Sequence, residues 1–170
     1  DHTEEYQAIY HEYMLECFRK RPFMWANHVW NMFDFAADAR NQGGEPGMNH
    51  KGLVTFDRKT KKDSFYLYKC YWNPEPMVHI AGKRYQYRPE KVTKVKVYSN
   101  CESVTLYADG KKIGTQSGKK VYTFRAVLGK QTKLEAVAGD VRDEAVLCFT
   151  PDPIKSYKLN KKTAGGGNWT

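Results

Sequence analysis

The chain has no apolar run approaching the ~20 residues that a helix needs to cross a bilayer, so we expect no membrane span. It does not open with a basic segment followed by an apolar one, so we expect no signal peptide. The four cysteines form no C-x-x-C pair and the five histidines have no metal-ligand spacing. These absences favour a protein without a metal, a cofactor or a membrane partner. The first residue is Asp1 rather than Met, which indicates a processed or cut product.

Aromatic residues, by contrast, are abundant. The 170 residues include 12 Tyr, 8 Phe and 4 Trp, and side chains of this kind need to be buried. The composition therefore excludes a chain that is disordered throughout, and the length suits one large domain or two small ones. The cysteines are too sparse for a disulfide scaffold. We interpret them as buried thiols, with a Cys101–Cys148 bridge as an alternative.

The positive charge is confined to the second half of the chain. Residues 1–80 carry 10 Lys/Arg and 11 Asp/Glu, whereas residues 81–170 carry 18 Lys/Arg and 8 Asp/Glu. A basic half can bind nucleic acid or present a solvated, lysine-rich surface. The lysines are scattered rather than gathered into blocks, which favours the solvated surface and no nucleic-acid partner.

The first half has the pattern of an α/β protein. Apolar residues recur at helical spacing over 4–20, with acidic residues in the first turn and Pro22 after the end. The short apolar segment 23–30 is typical of a buried strand. Residues 31–57 form a long loop, and long loops in compact domains are usually functional. A second helix is predicted from Asp63 to residue 72, with Phe65, Tyr68 and Trp72 on its inner face.

The second half has the pattern of a β-sandwich. From residue 75, short segments with alternating apolar residues are separated by turn signals every 8–12 residues. Asp109-Gly110 is a strong hairpin turn. We therefore predict a sandwich over residues 74–155. The Gly- and Lys-rich residues 156–170 are predicted to be a flexible tail or linker.

Four motifs carry a resemblance to a known family: Trp30–Arg40 (W-N-M-F-D-F-A-x-D-x-R), Gly47–Val54 (G-M-N-x-K-G-L-V), Asp57–Asp63 (D-R-K-x-K-K-D) and Phe65–Trp72 (F-Y-x-Y-K-x-x-W). In this order and spacing they resemble the end of the catalytic barrel of glycoside hydrolase family 2, and most of all its β-galactosidases. The resemblance implies a mixed fold. Residues 1–73 would be the terminal βα part of a (β/α)8 TIM barrel, and residues 74–155 an appended immunoglobulin-like β-sandwich.

The resemblance also implies the activity of the parent protein. It would hydrolyse terminal non-reducing β-D-galactosides with retention, through two carboxylates about 5–5.5 Å apart. In the family both are glutamates on earlier barrel strands, so they are expected upstream of residue 1. We therefore expect this isolated chain to be inactive and to need the rest of the barrel as its partner, and it could form a homo-oligomer. The compartment is open, with the periplasm or the extracellular space suggested by the family.

Three residues are expected to bind the sugar. Trp30 corresponds to a tryptophan on the floor of the family's site, where a flat apolar ring suits the C–H face of a pyranose. Asn49 and Lys51 lie in the following loop, and an amide and an ammonium suit sugar hydroxyls or a carboxylate. Asp34 and Arg40 correspond to family positions that we interpret as an ion pair supporting the loop.

Two alternatives remain open. The Asn49-x-Lys51 pattern also resembles β-glucuronidases of the same family, in which such a pair contacts the sugar acid. The sandwich could instead be a carbohydrate-binding module without catalytic function, with Tyr98, Tyr107 and Tyr122 as a stacking platform. These tyrosines fall in alternating strands, however, where inward packing is more common.

Overall fold

The computed structural model describes residues 3–40 and 45–151. The predicted tail, 156–170, lies outside the described residues. The chain divides into two compact units, one running to Phe65 and the other comprising Tyr66–Lys155. The expected domain boundary at residue 73 stays a prediction.

The first helix, α1, comprises Glu4–Arg19 and confirms the helical spacing in the sequence. It begins where Thr3 accepts a hydrogen bond from the Tyr6 amide through its side chain, at 3.2 Å. Glu4 and Glu5 in the first turn and Arg19 in the last complement the helix dipole. The buried side chains of α1 are Ala8, His11 and Leu15.

The strand expected over 23–30 is absent from the structure. This segment lies outside helix and strand, and all of its residues except Val29 are exposed. A parallel barrel strand needs hydrogen-bonded neighbours, and no strand in the described part of the chain pairs with this segment. The barrel portion implied by the resemblance is therefore not evident. The long loop that follows contains two short antiparallel strands, β1 (Phe35–Ala36) and β2 (Met48–Asn49).

The second helix, α2, comprises Asp63–Trp72, as the sequence predicts. The residues that α2 buries differ from the predicted Phe65, Tyr68 and Trp72. Leu67, Tyr68 and Cys70 are buried, whereas Trp72 is 61% exposed. Trp72 is the last helical residue, and its ring contacts only one side of Tyr68, with the centroids 4.6 Å apart.

The remaining strands form two antiparallel sheets that match the predicted sandwich. A three-stranded sheet has the order β3-β5-β8, and a five-stranded sheet the order β4-β10-β9-β6-β7, with β4 added in parallel. Their bounds are β3 Val78–Ala81, β4 Tyr87–Arg88, β5 Val92–Ser99, β6 Ser103–Ala108, β7 Lys111–Ser117, β8 Val121–Val127, β9 Thr132–Ala138 and β10 Val141–Phe149. The Asp109-Gly110 turn joins β6 to β7, with positive φ angles of 48° and 76°. Two such angles in succession are the geometry of a tight hairpin turn.

Alternating residues of both sheets form one apolar core. Its members include Val97, Leu106, Phe124, Leu134 and Leu147, none more than 5% exposed. All four cysteines are free, so the Cys101–Cys148 bridge is not formed.

The alternative of a tyrosine stacking platform on the sandwich is not supported. Tyr98 and Tyr122 are fully buried and Tyr107 is half-buried. Tyr122 belongs to the apolar core. Tyr98 lies outside that core and stacks near His79, with the ring centroids 6.3 Å apart. Tyr107 follows the core residue Leu106 and is therefore on the outer face of its strand. Neither helix is long and apolar enough to cross a membrane, within the described ranges.

Candidate functional site

Trp30 lies at the surface of the first unit and close to the short β1–β2 pair. Its side chain is 68% exposed, and its ring meets Phe35 edge-on with the centroids 6.0 Å apart. Phe35 is in turn the register partner of Asn49. The structure therefore brings two of the three predicted sugar-binding residues to the same pair of strands. Trp30 is not a core residue, and its indole is available to a ligand.

Asn49 fixes the start of the predicted binding segment. It is 2% exposed, and its Oδ1 accepts a hydrogen bond of 3.0 Å from the Lys51 amide. The same segment is also held from α1, because Gln7 Nε2 donates to the carbonyls of Lys51 and Gly52, both at 3.1 Å. The side chain of Asn49 therefore contacts the backbone of Lys51 and orients it. Its own amide is not presented to solvent.

Lys51 is a cation with a second cation nearby. Partial burial, and secondly repulsion from the Arg40 guanidinium, lower the pKa of the Lys51 ammonium. Two neighbouring positive charges become favourable when an anion binds between them. The loop is therefore suited chemically to a negatively charged group.

The buried carboxylate of Asp34 holds parts of the loop together through hydrogen bonds. It is 2% exposed, and its Oδ1 accepts hydrogen bonds from the Gly52 amide and from Lys62 Nζ, both at 2.8 Å. His50 Nδ1 lies 3.6 Å from the other carboxylate oxygen. Lys62 forms an ion pair with Asp34, and the expected ion pair between Asp34 and Arg40 stays a prediction. The interpretation of Asp34 as a structural residue remains compatible with this geometry.

Gly52 is required by the close approach of two loop segments. A Cβ atom at this position would lie 2.0 Å from the backbone nitrogen of Asp34 and 2.2 Å from the carbonyl carbon of Phe33. No side chain fits there. The hydrogen bond from the Gly52 amide to the Asp34 carboxylate depends on that approach.

Three residues that support the loop were not predicted from the sequence: Gln7, Gly52 and Lys62. Gln7 also contacts Ser64 Oγ at 3.0 Å, and Glu4 accepts a hydrogen bond of 2.6 Å from the Asp63 amide. Helix α1 thus holds both the loop and the start of α2. The glycine directly after Lys51 was the available signal, whereas nothing local distinguishes Lys62 from the lysines beside it. No cluster of three or more His, Cys, Asp or Glu side chains suited to a metal occurs within residues 3–40 and 45–151.

The chain is 40% identical over 142 residues to a β-glucuronidase of Bacteroides fragilis. It is homologous to glycoside hydrolases. The match covers 83% of this chain and 20% of that protein, and the other curated relatives are covered to a smaller extent. The chain therefore spans a fifth or less of the length of these relatives.

Solved structures agree on the fold. The structure of an FMN-binding β-glucuronidase from Facaelibacterium prausnitzii L2-6 superposes with a TM-score of 0.89 and 52% identity, covering 93% of this chain and 25% of that one. A putative β-galactosidase from Bacteroides fragilis superposes with a TM-score of 0.81 and 35% identity, covering 86% and 23%. A protein-family model described as a domain of unknown function, DUF4982, matches residues 90–146. The names of the homologues thus include both glucuronidase and galactosidase.

Proposed function

We propose that this chain is the C-terminal part of a retaining β-glycosidase of the β-glucuronidase type. The loop from Trp30 to Gly52 contributes to its sugar pocket, and the two catalytic glutamates belong to a part of the protein outside this chain. The β-galactosidase reading, which the sequence resemblance favours, becomes the alternative.

The repulsion between the Lys51 and Arg40 cations is the observation that favours a glucuronide over a galactoside. A glucuronide bears a carboxylate at C6, where a galactoside bears a neutral hydroxymethyl group. Partial burial and, secondly, repulsion from the Arg40 guanidinium lower the Lys51 pKa, and a carboxylate would offset that repulsion through charge-assisted hydrogen bonds. A neutral hydroxyl offers no such gain. The curated relatives named β-glucuronidase point the same way.

Trp30 would bind the apolar face of the sugar ring. An indole that is 68% exposed can stack against the C–H groups of a pyranose, and Phe35 orients it from the side. This role does not discriminate between glucuronide and galactoside, because both sugars have such a face.

Exposed apolar side chains support the placement in a larger enzyme. Tyr6, Ile9, Tyr10 and Tyr13 form a stripe at helical spacing on α1, and each is between 49% and 68% exposed. Trp25, in the segment expected to be a barrel strand, is 96% exposed. Apolar surface of this extent usually marks an interface. In our proposal the rest of the barrel covers it.

The test uses the full-length protein that carries this chain, with Lys51→Met. We expect kcat/KM for an aryl β-glucuronide to fall about 100-fold or more, because the sugar carboxylate loses a charged partner in the pocket. Activity on an aryl β-galactoside, however low, should change by less than about threefold. Lys61→Met, in the loop before α2, is the matched control and should leave both activities unchanged.

Two outcomes would contradict different parts of the proposal, one the choice of substrate and the other the location of the catalytic carboxylates. An equal loss on both substrates would mean that Lys51 does not read the carboxylate, and would return the galactosidase reading to first place. Hydrolysis by the isolated 170-residue chain would mean that a catalytic carboxylate pair lies within it, which contradicts the proposed division.

A groove in the second unit favours a second candidate function, flavin binding. Tyr71, Trp72, Asn73, Pro74, Asn100 and Lys120 line an open groove of about 330 Å³. Trp72 provides an exposed aromatic face, and Lys120 a cation. Asn73 adds an amide whose nitrogen donates to no described residue. No carboxylate of the described residues lines the groove, so its chemistry fits an aromatic ring that carries an anion, as FMN does.

The similarity to an FMN-binding β-glucuronidase makes that candidate worth testing, although the sequence predicts no cofactor. Trp72 would stack on the ring system and Lys120 would bind the phosphate. Bound FMN would supply a redox-active isoalloxazine. We expect the chain to quench FMN fluorescence saturably and to bind riboflavin, which lacks the phosphate, at least about tenfold more weakly.

Two tryptophan variants, one a test and the other its control, accompany the flavin titration. Trp72→Ala should abolish the quenching, whereas Trp25→Ala, which removes an even more exposed indole from the first unit, should not. Equal affinity for FMN and riboflavin would exclude Lys120 as a phosphate ligand.

A further inference from the structure

Two cations lie directly opposite each other on the outer face of the three-stranded sheet. Lys94 of β5 and Arg125 of β8 are register partners, and both are exposed. Neither side chain pairs with a carboxylate of the described residues. Like charges in directly opposed positions destabilise an antiparallel pair. The sandwich therefore carries an uncompensated repulsion here that an anion would relieve.

The pair lines a concave site rather than a flat surface. A cavity of about 530 Å³ is lined by Arg88, Glu90, Val92, Thr93, Lys94 and Arg125. Three of these side chains are cationic and one is anionic. The volume lies within the range of small-ligand sites, about 300–1,000 Å³.

Arg88 gives the site a preorganised third cation. Its Nε donates to the Tyr85 carbonyl at 2.6 Å, and its Nη2 to the Gly82 carbonyl at 2.8 Å. The guanidinium also lies over the Tyr85 ring, 4.4 Å from the centroid. Two backbone carbonyls and an aromatic ring contact this group and hold it in place.

We propose that the Lys94–Arg125 cavity is a binding site for the carboxylate group of an acidic oligosaccharide, separate from the loop that bears Trp30 and Lys51. Cβ atoms of opposed residues lie about 4.5–5.5 Å apart, so both long side chains can reach the same oxyanion. Val92 and Val127, the next register pair on this face, are 54% and 62% exposed and offer apolar area to the ring that carries the carboxylate. The choice of a glycan as the carrier of the anion rests on the proposed function.

The test is calorimetric titration of the full 170-residue chain with an oligosaccharide of alternating glucuronate and N-acetylglucosamine. Its carboxyl-reduced counterpart and inorganic phosphate are the comparison ligands. We expect saturable binding of the acidic oligosaccharide that weakens with salt, and no binding of the reduced form. The double variant Lys94→Gln, Arg125→Gln should bind at least about tenfold more weakly. Lys111→Gln, Lys112→Gln removes the same charge from exposed positions of β7 and should change the affinity by less than about twofold.

A charge reversal at Lys94 distinguishes loss of the binding site from unfolding of the sandwich. Lys94→Glu creates an ion pair with Arg125, so we expect the melting temperature to rise by about 1–3 °C while binding disappears. Equal binding of the carboxyl-reduced oligosaccharide, or unchanged affinity in the double variant, would overturn the proposal. Phosphate or an acidic peptide binding as tightly as the oligosaccharide would overturn the glycan assignment. Hydrolysis of a small aryl glucuronide by the full-length protein should not depend on Lys94 or Arg125, so failure of this site and failure of the proposed function are distinguishable.

Discussion

The Tyr66–Lys155 unit buries a continuous set of apolar side chains, whereas the unit that ends at Phe65 buries more polar side chains than apolar ones. Among the described residues of the latter, Ala8, Leu15, Leu53 and Val54 are the buried apolar side chains, and His11, Asp34, Asn49, Asp63 and Ser64 the buried polar ones. Apolar packing is non-directional, but a buried hydrogen bond requires a particular partner at a particular place. The first unit therefore relies on specific polar contacts to fix the loop that we assign to sugar binding. The sandwich relies on burial.

The difference predicts opposite sensitivities in the two units, and the most severe change is Asp34→Ala. It leaves Lys62 Nζ and the Gly52 amide without their shared acceptor, at a cost of about 3–5 kcal/mol for a broken buried ion pair. Hydrogen exchange should show lost protection across residues 31–40 and 45–62, and unchanged protection across 78–149. The control is Asp38→Ala, since Asp38 is an exposed carboxylate in the same unit. Equal loss of protection in both units would break the comparison.

The converse change is Leu106→Ala in the core of the sandwich. Leu106 is fully buried on β6, and large-to-small core substitutions cost about 2–5 kcal/mol. Protection should fall across the strands of the sandwich while the loop at Asp34 keeps its own. Val127→Ala, on an exposed position of the same sandwich, should cost less than about 0.5 kcal/mol. If the loop loses protection as much as β6 does, its polar contacts do not stabilise it independently.

Local sequence patterns predicted the sandwich and both helices because those elements are specified by their own residues. Val95, Val97, Val104 and Leu106 alternate at period two and are all buried in the two sheets. The Asp109-Gly110 hairpin was predictable for the same reason, since its conformation depends on the two turn residues. Tyr87–Arg88 was not predicted as a strand, because it has only two residues. The strand Lys111–Ser117 was implied only by the hairpin turn before it, since its own residues carry little apolar alternation.

The first unit was less predictable because its contacts join residues that are far apart in sequence. Asp34 meets Lys62 across 28 positions and Gln7 meets Lys51 across 44, and no periodicity encodes either pair. The segment 23–30 has the composition of a buried strand but lies outside any strand. Composition reports what a segment would bury, and pairing depends on neighbours that the described residues do not provide.

A pH titration sharpens the comparison through a buried residue of the first unit. Burial lowers the pKa of His11 from 6.5 to about 4. The unfolded chain therefore binds the proton more readily than the folded one, and the stability that neutral His11 allows is lost as the pH falls from about 6.5 towards 4. Protection of α1 should decrease over that window and level off below it. His11→Asn should remove this dependence, and its persistence in the variant would assign it to another group.

The smallest expected change in the free energy of unfolding comes from a buried hydroxyl group in the sandwich, where buried side chains are mostly apolar. The fully buried Tyr122 donates its hydroxyl proton to the Cys101 carbonyl at 3.1 Å and accepts from the Lys119 amide at 3.3 Å. Tyr122→Phe keeps the ring and removes both bonds, so we expect a loss of about 0.5–1.5 kcal/mol in urea unfolding. Tyr107→Phe on a half-buried ring should cost less. A loss as large as that of Leu106→Ala would mean that the sandwich, like the first unit, depends on a specific polar contact, and the contrast between the two units would then be one of degree.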